Sequence, residues 1–524
     1  MYRIYIKRED GDRMKKLFML IFSRKFIVAL LILGQILFIA LSVTVLGDIY
    51  LAVYIIMMVI AGILALYIVN SDDDPAFKIA WLIPLLVVPP LAAFMYIFFK
   101  AQISLELIKK FHIKIQNETK PLLQPSEELE REVEAESVQL SRYTKYMWDY
   151  GGYPICKNSN AEYYGSGEAA FEPIKQALMQ AEKFIFIEFF IVQEGRMWGE
   201  ILDILKEKVQ NGVDVRVIYD GFGSQLSLPR GYHKKLEKMG IKAKVFSPFT
   251  PFLTTAQNNR DHRKIIVVDG KTAFTGGFNL ADEYINEEER FGYWKDGGVK
   301  VTGDAVFNFT VMFLQMWMFV SQATCDVSSF KALPDENGKY KENSFILPFG
   351  DSPIDSEPTG KLTYINILNN AKDYVYISTP YLVLGNEMIS AIKYAVKSGV
   401  KVKLLLPGIP DKKYMKIVAQ SRYRMLLDLG VEIYEFTDGF VHEKSFISDD
   451  KVAVSGSINV DYRSFYLHFE CGVYMYNADC VMDMKADFEG MLAKSKQITH
   501  EECRKIPIMN RFAGALLNVI AALL

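Results

Sequence analysis

Two histidines and two lysines in this chain stand in the same local pattern. The first copy reads His262-Arg-Lys264-Ile-Ile-Val-Val-Asp269-Gly270, followed by Gly276-Gly277-Phe-Asn279. The second reads His442-Glu-Lys444-Ser-Phe-Ile-Ser-Asp449, followed by Gly456-Ser457-Ile-Asn459. Each has the spacing His-x-Lys-x4-Asp, and in each an Asn follows the His by 17 residues. The chain holds only six histidines, so two in one context make chance a poor explanation. These residue types can attack a phosphodiester without a metal. A neutral imidazole can attack phosphorus and form a covalent phosphohistidine, which divides one hard displacement into two easier ones. A second imidazole, protonated, can donate to the leaving oxygen. Lys264 and Lys444, with Asn279, Asn459 and Ser457, can hold charge on the non-bridging oxygens. Asp269 and Asp449 complete the motif and are counted with the catalytic set. Their odd separation from the His nevertheless puts them at a turn, where a structural role is expected.

The elements that must position these groups follow from the flanking residues. His-x-Lys followed by Ile and Val reads as a strand, with a turn at Asp269-Gly270 and a return strand through Ala273 and Phe274. Residues i and i+2 of a strand share a face, so His262 should project with Lys264, and His442 with Lys444. One His-x-Lys alone is most often a surface pair; two copies with the same downstream Gly/Asn turn reverse that reading. The copies belong to a larger duplication. Ala181-Glu-Lys-Phe-Ile-Phe-Ile parallels Ala371-Lys-Asp-Tyr-Val-Tyr-Ile, and Asn211-Gly-Val-Asp-Val-Arg-Val parallels Ser398-Gly-Val-Lys-Val-Lys-Leu. Gly240 matches Gly430, and the offsets run from 180 to 190 residues. Each copy reads strand, helix, strand, helix, then the motif hairpin, which predicts two tandem α/β domains with largely buried sheets. The seam is expected near 334–340, a cluster of turn-forming and charged residues. A pseudo-two-fold between the halves would bring both motifs to one cleft, so that one phosphorus meets both histidines.

The paired motifs resemble the phospholipase D superfamily, and the longer strings resemble the bacterial cardiolipin synthases within it. Those strings are Asn259-Arg-Asp-His-Arg-Lys-Ile-Ile-Val-Val-Asp-Gly-Lys271, Thr275-Gly-Gly-Phe-Asn-Leu-Ala-Asp-Glu-Tyr284 and Asn459-Val-Asp-Tyr-Arg-Ser-Phe-Tyr-Leu-His-Phe-Glu470, with Tyr219-Asp-Gly-Phe-Gly-Ser224 and Ser378-Thr-Pro-Tyr-Leu382. The likeness runs from about residue 150 to the end, and the apolar N-terminal segments fit it. It implies phosphatidyl transfer between two phosphatidylglycerol molecules, giving cardiolipin and glycerol, with His262 as nucleophile and His442 as general acid and base. It implies an acid behind each imidazole, here Asp296 and Glu470. It implies no cofactor, and no carboxylate cluster suggests a two-metal site. Two positions depart from the family pattern. Asp450 stands where a Gly usually closes the second turn, and Gly297-Gly298 stand where bulkier residues are usual.

Composition bounds the rest. At 524 residues the length suits about three domains. We divide the chain into N-terminal membrane segments (1–105), a linker (106–150), a first domain (151–338) and a second (339–524). A net charge of −2 gives no basic footprint for nucleic acid, which counts against a membrane-anchored nuclease of the same superfamily. The five cysteines show no zinc spacing and read as free thiols. Three apolar segments, 26–46, 51–70 and 79–99, each approach the roughly 20 residues that cross a bilayer. Basic residues before the first and after the third favour a cytoplasmic N-terminus and cytoplasmic catalytic domains in a multi-pass protein of the bacterial cell membrane. Pro84, Pro89 and Pro90 interrupt the third segment, so two full crossings with a bent, re-entrant or interfacial third are expected. Three full crossings, with the catalytic part outside, are the alternative. Residues 117–136 read as a solvated, partly helical connector. His112, His233 and His500 read as surface residues, and His468 as packing or near the site. The apolar stretch 512–524 is too short to span and reads as a helix packed on the second domain or touching the membrane. Ser247-Pro-Phe-Thr-Pro-Phe-Leu253 is expected as a packed loop or an apolar lip for acyl chains. The expected partners are membrane phospholipids, phosphatidylglycerol and cardiolipin, with no nucleic acid; a homo-oligomer stays open. A hydrolase of the same superfamily, yielding phosphatidic acid, is the alternative activity.

Overall fold

The computed structural model describes residues 47–100, 103–247, 258–333, 338–355, 357–519 and 521. The chain forms two units, one of Met1–Leu107 with Phe249–Asn258 and Val519–Leu524, the other of Ile108–Pro248 and Asn259–Asn518. The apolar segment 26–46 and most of the expected lip, 248–253, lie outside the described residues.

The N-terminal unit contains the helices Gly47–Val69, Pro75–Val87 and Pro89–Lys100. The third apolar segment is therefore two short helices rather than one. Asp74 caps the first of these by accepting from the Ala76 N–H at 2.8 Å. The break falls at Val88, whose φ of −136° leaves the helical region just before Pro89. Ala61, Ile68, Leu85, Ala92, Ala93 and Tyr96 pack together, with Trp81 edge-on to Tyr96 at 5.4 Å. Ile56, Ile63, Leu66, Leu86 and Val87 face outward. Among the described residues no helix is long and apolar enough to cross a membrane; side chains at 47–51, 53 and 54 of the first helix lie outside the described set.

The larger unit holds both halves of the duplication. Its strands are β1 (Ser159–Tyr164), β2 (Phe184–Phe189), β3 (Asp214–Asp220), β4 (Lys242–Phe246), β5 (Arg260–Asp261), β6 (Lys264–Val268), β7 (Thr272–Gly276), β8 (Tyr293–Lys295) and β9 (Gly298–Gly303). They continue with β10 (Phe345–Asp351), β11 (Tyr374–Ser378), β12 (Lys401–Pro407), β13 (Glu432–Phe436), β14 (Gly439–Val441), β15 (Ser445–Ser448), β16 (Val452–Gly456), β17 (His468–Tyr476) and β18 (Ser495–Ile498). The first sheet runs β1-β9-β7-β6-β2-β3-β4 and the second β10-β17-β16-β15-β11-β12-β13-β18. The first seven positions correspond one to one, so the repeat seen in the sequence is a repeat of topology. In each half the parallel pairs β2/β3 and β11/β12 are joined through a helix, and the motif hairpin joins antiparallel.

One helix, Val306–Ser321, lies against both sheets and is apolar on nearly every side, as a fully enclosed helix must be. Phe313 stacks on Phe186 at 4.5 Å. Its polar residues are all matched: Asn308 donates to the carbonyls of Pro154 and Pro348, and Gln315 donates to Thr119 and accepts from Tyr153. One contiguous core thus spans the two halves.

The expected solvated connector is corrected. The helices Ile103–Thr119, Lys120–Leu123, Glu127–Glu136 and Val138–Tyr146 place Ile115, Leu123, Val133, Leu140 and Tyr143 in this core. His112, expected at the surface, is also buried, between the rings of Phe319 and Phe469. The C-terminal helix Ile508–Val519 packs Gly514 and Asn518 on Ser421 and exposes Ile508, Met509, Phe512 and Leu516.

Candidate active site

Two very short strands build the site. β5, just before the first motif, pairs in parallel with the start of β17 in the other half, matching Arg260 to His468 and Asp261 to Phe469. β14, just before the second motif, pairs in parallel with β8, matching Val441 to Lys295. The exchange is reciprocal. The His262 N–H donates to the Phe469 carbonyl at 2.9 Å, and the His442 N–H to the Lys295 carbonyl at 2.7 Å. The next residue along each partner strand is Glu470 or Asp296. Each acid therefore lies beside the imidazole of the opposite motif.

The side chains complete the crossing. His262 Nδ1 is 2.9 Å from both carboxylate oxygens of Glu470, and His442 Nδ1 is 2.8 Å from Asp296 Oδ2. Both acids are fully buried. A carboxylate accepts, so each Nδ1 carries its proton toward the acid and each Nε2 keeps its lone pair. Aromatic rings wall both imidazoles: Phe190 lies 5.0 Å from His262, while Trp294 and Tyr284 lie 5.3 and 5.5 Å from His442. Lys264 and Lys444 lie at or beside the heads of β6 and β15, buried, and each donates its Nζ to the carbonyl of its own His, Lys264 at 2.6 Å.

Burial and crowded positive charge set the electrostatics. Burial, with Lys264 and Lys444 nearby, holds His262 well below its ordinary range. Burial and Lys444 bring His442 down to about 4, although Asp296 pulls the other way. Burial lowers Lys264 to about 8 and Lys444 to about 7. Asp296 is pushed up by burial, but His442, Lys444 and the Gly297 N–H outweigh this and hold it below the usual carboxylate range. Burial and the crowded positive charge thus favour the neutral form at both imidazoles and lower the charge at both lysines. An anionic phosphodiester between the lysines would favour the imidazolium.

The two halves differ behind their acids. Ser457 donates its hydroxyl to Glu470 Oε2 and accepts from the Cys471 N–H at 2.9 Å. The residue expected at the substrate phosphate thus lies directly behind the acid of the first histidine. Its counterpart in the first motif is Gly277, where a Cβ would come 2.0 Å from Asp296 Oδ1. Asp296 instead takes the Gly297 N–H at 2.9 Å. A short acid over a glycine and a long acid under a serine occupy equivalent places.

Other expected residues are placed as follows. Asp269 accepts from the N–H groups of Glu182, Lys183 and Phe184, and Asp449 from those of Lys372, Asp373 and Tyr374, all within 2.9 Å. Both belong to the far hairpin turn, with φ of 53°, and are corrected from the catalytic set to a structural role. Asp450 adopts the left-handed conformation of Gly270, with φ of 56° against 67°, and is held by Lys485 and Tyr374. Asn279 accepts from the Ile191 N–H and donates to Tyr284, whereas Asn459 Oδ1 is buried without a partner. Asp220, in the Tyr219-Asp-Gly-Phe string, accepts from the N–H groups of Phe222, Gly223 and Asp261 and so ties β3 to β5. Sequence reasoning missed Phe190 and Lys412, whose charge reaches His262; no motif marked either.

The family model described as "Cardiolipin synthase, PLD-like domain" matches residues 174–294 and 364–492, one stretch in each half. An uncharacterized protein of Streptococcus mutans is 47% identical over 88% of this chain and 99% of its own length. A cardiolipin synthase of Alkalihalophilus pseudofirmus is 34% identical over 71% of this chain and 74% of its own. The crystal structure of phosphatidylserine synthase from Haemophilus influenzae superposes with a TM-score of 0.55 at 17% identity, covering 73% of this chain and 98% of that one, which supports the fold. With the duplicated sheets and the crossed histidine–acid pairs, these matches show that the chain belongs to the cardiolipin synthase family of phospholipase D-like proteins.

Proposed function

We propose that this protein is a cardiolipin synthase that moves a phosphatidyl group from one phosphatidylglycerol to a hydroxyl of another. The observation that carries the reading is the pair of buried imidazoles, each held by an acid from the opposite half, beside two buried lysines. His262 Nε2 attacks the phosphorus, His442 protonates the departing glycerol oxygen, and a phosphatidyl-histidine remains. His442, now neutral, takes the proton of the incoming hydroxyl as that oxygen displaces His262. Lys264 and Lys444 balance charge on the non-bridging oxygens. The surroundings favour this order of roles. Ser457 spreads the charge of Glu470 and weakens its pull on a His262 cation, which suits a nucleophile that starts neutral. Asp296 has no hydroxyl donor and raises the proton affinity of His442, which suits the acid.

Both substrates are lipids, and the apolar surfaces suit a membrane enzyme. The outward Ile, Leu and Val residues of the N-terminal helices would embed in a bacterial cell membrane, with the break at Val88 making a bent, re-entrant passage. Ile508, Met509, Phe512 and Leu516 would lie in its interface. The catalytic unit then faces the cytoplasm. The test is purified protein with phosphatidylglycerol in mixed micelles. Cardiolipin and free glycerol in equal amounts support the synthase, and phosphatidic acid as main product supports the hydrolase.

A further inference from the structure

The two histidine–acid pairs occupy equivalent places, but a third residue differs between them. Two positions before Asp296 stands Trp294, whose ring is 5.3 Å from that of His442. Two positions before Glu470 stands His468, whose ring is 5.4 Å from that of His262. The same place thus holds an indole in one half and an imidazole in the other. His468 is 9% exposed, and its Nδ1 has no hydrogen-bond partner. That atom lies 3.6 Å from Glu470 Oε1, the oxygen that also faces His262 Nδ1 at 2.9 Å. One ligand atom from each of His262, His468 and Glu470 lies within 4.8 Å of the other two. Bonds of about 2.0–2.2 Å to a tetrahedral zinc put its ligand atoms about 3.4 Å apart. A small inward movement of side chains closes the set.

We infer that His262, His468 and Glu470 form an inhibitory site for a borderline divalent cation, Zn²⁺ above all. The chemistry selects the ion. Lys264, Lys444 and Arg463, whose Nε is 3.4 Å from His468 Nε2, repel any dication. An ion that binds by charge to oxygen, such as Mg²⁺ or Ca²⁺, has one carboxylate to offset that repulsion and fails. Zn²⁺ also gains two imidazole nitrogens. The inhibition follows from the tautomer. Zinc on His262 Nδ1 takes the place of the proton now shared with Glu470, and the neutral ring then carries its proton on Nε2. A protonated Nε2 has no lone pair for phosphorus. This consequence rests on His262 acting as the nucleophile, whereas metal binding itself does not. The second half has no such site, because Trp294 offers no ligand.

The test uses the full chain in detergent micelles, without lipid for binding and with phosphatidylglycerol for turnover. Isothermal titration with ZnCl₂ should show one zinc per chain, and Mg²⁺ should show none. Zinc should stop cardiolipin formation, and EDTA should restore it. H468Q should weaken zinc binding and inhibition together by roughly 100-fold or more. Co²⁺ added to the unmodified protein should give the intense visible bands of a four-coordinate ion, a readout that needs no variant to fold. Loss of zinc binding in H468Q with no effect of zinc on wild-type turnover would overturn the inhibition. Equal zinc sensitivity in wild type and H468Q, or no bound metal and no cobalt bands, would overturn the site.

Discussion

Replacing Asp296 by Asn removes one charge and little volume, and its effect should depend on the leaving group. The carboxylate is fully buried, 2.8 Å from His442 Nδ1, and raises the proton affinity of that ring against burial and Lys444. A hydrogen bond to a charged group is worth about 1.5–3 kcal/mol. Two unit charges about 4 Å apart at an effective dielectric of about 20 interact by about 4 kcal/mol. Asn keeps an acceptor for Nδ1 and loses the charge, so the imidazolium of the first step should be dearer by about 2–4 kcal/mol. At about 1.4 kcal/mol per tenfold, kcat falls roughly 30- to 1000-fold. If His442 is the acid, that loss is confined to substrates whose leaving oxygen needs a proton. With a phosphatidyl ester of p-nitrophenol the first step needs no acid, so D296N should release the first turnover of nitrophenolate nearly as fast as wild type. E470Q, which loosens His262, should slow both substrates alike. Stopped-flow nitrophenolate release and glycerol release from phosphatidylglycerol, on variants whose thermal unfolding matches wild type, decide the matter. A loss in D296N that ignores the leaving group, with a dependence in E470Q instead, reverses the roles. No loss in either variant refutes the chemistry.

H262A and H442A should each leave less than a few per cent of turnover, and quenching with alkaline detergent after labelled substrate should trap phosphohistidine on His262 only; label on His442 would reverse the order. EDTA should leave activity unchanged while vanadate competes with substrate, and a stoichiometric metal required for turnover would contradict this. kcat/KM should fall as pH rises from about 6 to 9. Lys444 and Lys264 are charged below about 7 and 8 and lose their protons above those values, and His442 also becomes harder to protonate; a flat or rising profile would be inconsistent. Because the reaction conserves the number of phosphodiesters, glycerol in excess should convert cardiolipin back to phosphatidylglycerol, and its failure to do so would favour the hydrolase.

The motifs, the duplication and the α/β architecture were legible because each rests on local pattern: period-two apolar strands, Asp-Gly punctuation and a steady offset. Asp296 and Glu470 were legible as positions and not as partners. They follow the histidines of their own motifs by 34 and 28 residues, which suggests pairing within each half. The true pairing depends on β5 and β14, strands of two and three residues that carry no periodicity to read. The connector misled for a similar reason. Leu123 and Val133 are sparse among Glu, Lys and Pro, and the core that buries them forms only when the sheets are in place. His112 sits among lysines in sequence, while its neighbours in space are Phe319 and Phe469.

The crossing also explains why the acids and the residues beneath them change in pairs. An aspartate reaches His442 because Gly277 leaves room for its carboxylate, and any side chain there would collide with Oδ1. A glutamate reaches His262 from one bond further back, and the space that glycine leaves open in the first half is filled by the Ser457 hydroxyl. Exchanging the acids alone would leave a glutamate pressed on Gly277 and an aspartate short of His262. The residue two before each acid changes too, Trp294 in one half and His468 in the other. These three differences distinguish the two sides of the pseudo-two-fold, while the histidines, lysines and turn aspartates are alike on both. The duplicated parts supply what both steps share, a nitrogen at phosphorus and charge on its oxygens. The unequal parts separate the ring that must stay neutral from the ring that must take up a proton.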